Sequence, residues 1–223
     1  MLPRITEKNN FAYLAAGLVL LLLIGALVEH FPGNLAPRII QATTIATLFT
    51  MAFSLKSSQS GFVTSMAFVL VVLLSVVGGT LLDHAGFGYA HLLIMLAFFI
   101  WVTWQATHKV LFTGTIDGNK IVGAICIYIL LGLIWAILYV FIAEVIPGAF
   151  NGIAQAPWLD NFATAIYFSF VTITTLGYGD ISPALPLARF LVFMEAIVGV
   201  FYMAILVASL IGVSLSHRET ERK

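Results

Sequence analysis

Charge is what this sequence has least of: Asp, Glu, Lys and Arg make up 9% of its 223 residues, where a soluble domain carries about a quarter. A water-facing surface cannot be built from so few charged side chains. The one cysteine, Cys126, stands inside an apolar run, which excludes an intrachain disulfide and leaves a small core residue. Lys and Arg number 10 and Asp and Glu 10, for a net charge of +0, and with no basic stripe no nucleic-acid partner is expected. Also missing are the H-E-x-x-H and G-x-S-x-G spacings and any cluster of carboxylates or histidines, so the residues do not point to an enzyme.

What the chain has instead is apolar length. Hydrophobic residues make up 61% of it, and its mean hydropathy is +1.06. A run of about 20 apolar residues crosses a bilayer as a helix, because lipid offers no hydrogen bonds to bare backbone. The apolar runs predict six spans, at 11–28, 38–55, 62–82, 87–107, 121–143 and 187–215. The second, interrupted by Gln41, Thr43, Thr44, Thr47 and Thr50, is the least hydrophobic. Arg4 and Lys8 ahead of the first run mimic a secretory signal, yet the run is too long for one and a retained helix is expected. A half-polar stretch, Asp160–Thr174, is too short to span and reads as a re-entrant element starting near Asp160 or Asn161, both good helix caps.

Basic residues set the orientation. With the amino terminus inside, Arg4, Lys8, Lys56, Lys109, Lys120, Arg218, Arg222 and Lys223 are cytoplasmic, and only Arg38 and Arg189 lie outside. Both termini are therefore expected in the cytoplasm of a multi-pass plasma-membrane protein, with extensions too short for a soluble regulatory domain.

Between the last two spans the chain reads Thr172-Ile173-Thr174-Thr175-Leu176-Gly177-Tyr178-Gly179-Asp180. This resembles the T-V/L-G-Y-G-D selectivity-filter signature of potassium channels. The order helix, re-entrant helix, filter, helix resembles that family's pore module over 116–223. The resemblance implies an all-α membrane protein of six transmembrane helices plus a re-entrant pore helix and filter loop. It also implies a homotetramer in contact with lipid, with K+ as the permeant ion and no cofactor. A dehydrated K+ needs its water replaced by rings of backbone carbonyls, and glycine accepts the positive φ such a path demands. By resemblance, the carbonyls of Thr175, Leu176, Gly177 and Tyr178, with the Thr175 hydroxyl, hold the ions, and Gly179 completes the loop. Tyr178 is expected to brace against pore-helix aromatics such as Tyr167 and Phe168. The family often sets a carboxylate in this helix to pair with the aspartate after the filter. Here that position is Val171, so Asp180 needs another partner, for which the Tyr167 hydroxyl is a candidate.

The last span resembles the family's inner helix, with Gly199 at the glycine-hinge position. Close helix packing is the other reading of such a residue. Val200, Met203, Val207, Ile211 and Leu215 fall mostly at helical spacing and are candidates to line the cavity and its cytoplasmic gate. Glu195, ionisable inside an apolar helix, needs a partner; Ser169 or Thr172 is expected to bond it, in a structural or a proton-sensitive role.

Residues 1–115 form a four-helix domain laid out like a voltage sensor. A sensor needs several Lys or Arg along its fourth helix; residues 88–107 have none, so voltage gating is not expected. His91 is either a packed core histidine or a proton sensor, and Trp101 and Trp104 read as interfacial anchors. The rival readings are a non-selective cation channel of the same fold and a subunit of a potassium uptake system.

Overall fold

The computed structural model describes residues 9–27, 35–54, 59–82, 85–112 and 118–220, with side chains in the last helix described as far as Ser209, Val207 apart. These residues form seven helices: α1 (Asn10–Leu27), α2 (Leu35–Ser54), α3 (Gln59–Leu82), α4 (Ala85–Phe112), α5 (Gly118–Val145), α6 (Trp158–Ile173) and α7 (Pro186–Thr220). Five of them, α1, α3, α4, α5 and α7, are long and apolar enough to cross a membrane, which makes the chain a multi-pass membrane protein. The polar threonines and Arg38 keep α2 out of that set, although it runs for 20 residues.

The threonines of α2 show how a polar residue is accommodated where water is scarce. Thr44 and Thr47 donate to the carbonyls of Ile40 and Thr43, one turn back, at 2.8 and 2.9 Å. Each hydroxyl is satisfied inside its own helix.

The fold is organised around α5, which packs against α1, α4, α6 and α7. Its core side chains Leu130, Leu133 and Ile137 join Leu14 and Leu18 of α1 and Leu92, Met95 and Phe99 of α4 in one continuous buried cluster. At one end the Asn119 amide donates to Asn10 Oδ1 at 2.8 Å and ties the start of α5 to the start of α1. Further along, Tyr202 of α7 donates to the Ala124 carbonyl at 2.6 Å and stacks on Tyr128. In α3, the space left by Gly78 is filled by the Phe87 ring of α4, which would lie 2.6 Å from an added Cβ.

A two-residue ladder closes the far end of the molecule. β1 (Phe150–Asn151) pairs antiparallel with β2 (Ser182–Pro183), Phe150 opposite Pro183. The segment entering α6 and the segment leaving the G-Y-G turn are thereby fastened together.

Candidate functional site

The site is built by α6 and the turn that follows it. The helix starts at Trp158, near the expected position, but it follows Pro157 and no side chain caps it; this corrects the expectation that Asp160 or Asn161 is the cap. Proline suits a helix start, where its missing N–H would have no partner in any case. Asn161 is instead buried, and its amide donates to the Ala154 and Ala156 carbonyls at 2.8 and 3.3 Å, folding the preceding loop onto the helix. Asp160 remains in the first turn, a favourable place for a negative charge.

At its other end, the helix is closed by the backbone of the motif itself. The N–H of Thr175 donates to the Thr172 carbonyl at 2.9 Å, and those of Leu176 and Gly177 both donate to the Val171 carbonyl at 2.9 and 3.2 Å. The peptide bonds are trans, so each C=O points opposite to the N–H of the same peptide. The carbonyls of Thr174, Thr175 and Leu176 are therefore turned away from the helix end, on one side of the chain. Thr175, Gly177 and Gly179 have φ of 58°, 58° and 83°, while Leu176 and Tyr178 between them do not enter that region. Handedness thus alternates residue by residue. Among the described residues, Thr175 is the only non-glycine at positive φ, a strained placement of the kind held at functional sites.

Around this turn, the structure brings together several residues singled out in the sequence. The Tyr167 hydroxyl donates to Asp180 Oδ2 at 2.8 Å, which supplies the partner that Val171 cannot. That bond pushes the Tyr167 phenol above its ordinary pKa, so it stays a donor. Gly152, at φ 85°, lets the β1 side approach so closely that a Cβ there would meet the Asp180 carbonyl at 2.6 Å. Phe168 is buried against Tyr139 and Phe150, so within one chain it holds α6 to α5 and does not meet Tyr178. One residue along a helix is a rotation of about 100°, which separates it from the exposed Tyr167. Thr174 through Asp180 all lie on the surface of the single chain.

Behind the turn, Glu195 of α7 is fully buried and hydrogen-bonded on both oxygens. Ser169 is one partner, as expected, at 2.5 Å. The other is the Tyr139 hydroxyl of α5, which the sequence offered no means of finding because it lies 56 residues away. Four residues on, Gly199 lies against the end of α6: a Cβ there would collide with the Ile173 carbonyl oxygen. That oxygen also accepts from the Tyr128 hydroxyl at 3.0 Å. Close approach therefore accounts for Gly199, and α7 runs through it as continuous helix. Val200 and Met203 are exposed in the single chain; the side chains of Val207, Ile211 and Leu215 lie outside the described residues.

His91 is buried, with Nδ1 at 2.8 Å from Ser75 Oγ and its ring stacked 5.0 Å from Trp158. It is a packed histidine that joins α3, α4 and the first residue of α6.

A long helix, a short helix, an alternating-hand turn and a second long helix follow one another here, and residues 123–214 match the family model described as ion channel. The family so described is one of transport proteins, not of enzymes, and the match covers less than half of the chain. The chain is similar to two potassium channels. Over 74 residues it is 34% identical to the two pore potassium channel c of Oryza sativa subsp. japonica, covering 33% of this chain and 16% of that protein. Over 85 residues it is 35% identical to the inward rectifier potassium channel Kirbac3.1 of Paramagnetospirillum magnetotacticum, covering 38% of this chain and 26% of that one. The chain thus spans only a minor part of the length of either relative. No solved structure matches it.

Proposed function

We propose that the chain is one subunit of a potassium-selective channel that conducts K+ passively, with Thr175, Leu176, Gly177, Tyr178 and Gly179 forming one quarter of the filter. The observation that carries this reading is the row of Thr174, Thr175 and Leu176 carbonyls turned to one side, away from the end of α6, by the hydrogen bonds of their own peptides. Four such rows around an axis make the cage of oxygens that replaces water around K+. The two relatives, both named potassium channels, support the choice of ion.

Surface chemistry supports a homotetramer. The G-Y-G turn is exposed in the single chain, and one chain supplies one quarter of the carbonyl cage, so four copies around an axis are needed to complete it. In this reading α2 spans as well, giving six transmembrane helices, a four-helix domain at 1–115 and a pore domain at 116–223. Both termini are cytoplasmic in a plasma membrane, and Asp180 and Tyr167 brace the outer mouth.

The test is flux from liposomes carrying the purified protein and a potassium gradient calibrated with valinomycin. A membrane potential that follows the K+ gradient and ignores external Na+ is expected. Equal passage of both ions would replace this reading by the non-selective channel.

A further inference from the structure

The pocket behind the filter contains more acceptors than an ionised Glu195 can satisfy. Ser169 Oγ lies 2.6 Å from the Gly132 carbonyl oxygen of α5 and 2.5 Å from Glu195 Oε1 of α7. A serine hydroxyl carries one hydrogen, and a carbonyl oxygen carries none. If Glu195 were a carboxylate, one of these two short O···O contacts would have no hydrogen in it, and two sets of lone pairs would face each other in a buried site. The Tyr139 hydroxyl, on Oε2, brings its own hydrogen to the other carboxyl oxygen and cannot relieve that shortage. Placing one proton on Oε1 resolves the whole chain of contacts. Tyr139 then donates to Oε2, the Oε1 hydroxyl donates to Ser169, and Ser169 donates to the Gly132 carbonyl.

We infer that Glu195 is a neutral carboxylic acid in the folded channel, and that its proton is the link by which α7 and α5 together hold the pore helix in place under the filter. Every group in the link is buried: Glu195 and Ser169 are each 0% exposed, and Tyr139 likewise. An uncompensated charge there would be expensive, while a fully satisfied neutral network rigidifies the site it sits in. Ser169 lies one turn before Ile173, whose carbonyl meets Gly199 and Tyr128. The proton link and the glycine contact therefore fix the last turn of α6, from which the filter departs. Glu195 touches no ion in this scheme; it positions the helix whose end the filter closes.

The flux part of the test rests on the channel reading above, while the spectroscopic part does not. At neutral pH, an infrared difference spectrum of wild type minus Glu195→Gln is expected to show the carbonyl stretch of a protonated carboxylic acid, and Tyr139→Phe is expected to shift that band by removing the donor to Oε2. Gln offers the same pattern as the neutral acid, an N–H for Ser169 and an oxygen for Tyr139, so Glu195→Gln should keep its liposome K+ flux within about twofold of wild type. Glu195→Ala strands both partners and should lower flux by about tenfold, the factor that corresponds to one lost buried hydrogen bond. Absence of the band from the difference spectrum would overturn the inference, as would Glu195→Gln failing as badly as Glu195→Ala. If wild type carried no K+ while the band was present, the neutral acid would stand and the channel reading would fall.

Discussion

Asp180 and Tyr167 meet through a single hydrogen bond at 2.8 Å between side chains that are both exposed. A bond at the surface adds little to the stability of the fold, yet this one fixes the residue that leaves the G-Y-G turn. Tyr167→Phe is therefore expected to weaken selectivity, read as a reversal potential that moves when Na+ replaces external K+, with almost no change in thermal unfolding. Asp180→Ala should act in the same way, and the double substitution should be no worse than either alone, since both remove one bond. Gly199 predicts the opposite pattern. A methyl group there meets backbone, the Ile173 carbonyl, and backbone at a helix end already held by Tyr128 has little room to yield. Gly199→Ala should destabilise the protein by about 1–3 kcal/mol, seen as a lower unfolding temperature; an unchanged one would restore the view of Gly199 as a hinge.

Helix α6 is held at both ends by other elements, and these contacts differ in how far the sequence disclosed them. Its existence, its carboxyl end and the Asp180–Tyr167 pair were legible because they depend on residues a few turns apart. Its cap was misread because Asp160 and Asn161 are good caps in isolation, while Pro157 holds the cap position and Asn161 is taken by the loop carbonyls of Ala154 and Ala156. Tyr139, Gly132 and Tyr128 were out of reach altogether: α5 is apolar on all sides, and no periodicity marks which of its faces carries a polar partner. The same holds for His91, whose stack on Trp158 joins the amino-terminal helices to the beginning of α6. That stack makes a prediction for the element as a whole. His91→Phe keeps an aromatic face against Trp158 and loses only the Ser75 bond, whereas His91→Ala loses both. The alanine variant should unfold at a lower temperature than the phenylalanine one, by a stacking contribution of about 0.5–1.5 kcal/mol, and should also show the lower flux. Equal behaviour of the two would mean that the first four helices surround α6 without supporting it.

Taken as a whole, the molecule sets four helices, α1 to α4, ahead of the stretch that matches the ion-channel family model, and the chemistry of α4 decides what those helices can do. One elementary charge moved through 100 mV yields about 2.3 kcal/mol, so a field acts on a helix only through the charges it carries across the membrane. Over Ala85–Phe112, α4 has Lys109 in its last turn and no other Lys or Arg. Its inward face is filled by Leu92, Met95, Phe98, Phe99 and Val102, which pack it into the core and leave nothing for a field to pull. His91, in the first half of α4, is buried and engaged with Ser75 and Trp158. Even one charge crossing in one subunit would change an open-to-closed ratio by roughly 50-fold per 100 mV. In a planar bilayer with equal K+ on both sides, open probability should therefore stay within a few-fold between about −100 and +100 mV. A change of the 50-fold order would show that a charge does move, and Lys109→Gln, which removes the one Lys or Arg of α4, would then be the first variant to record.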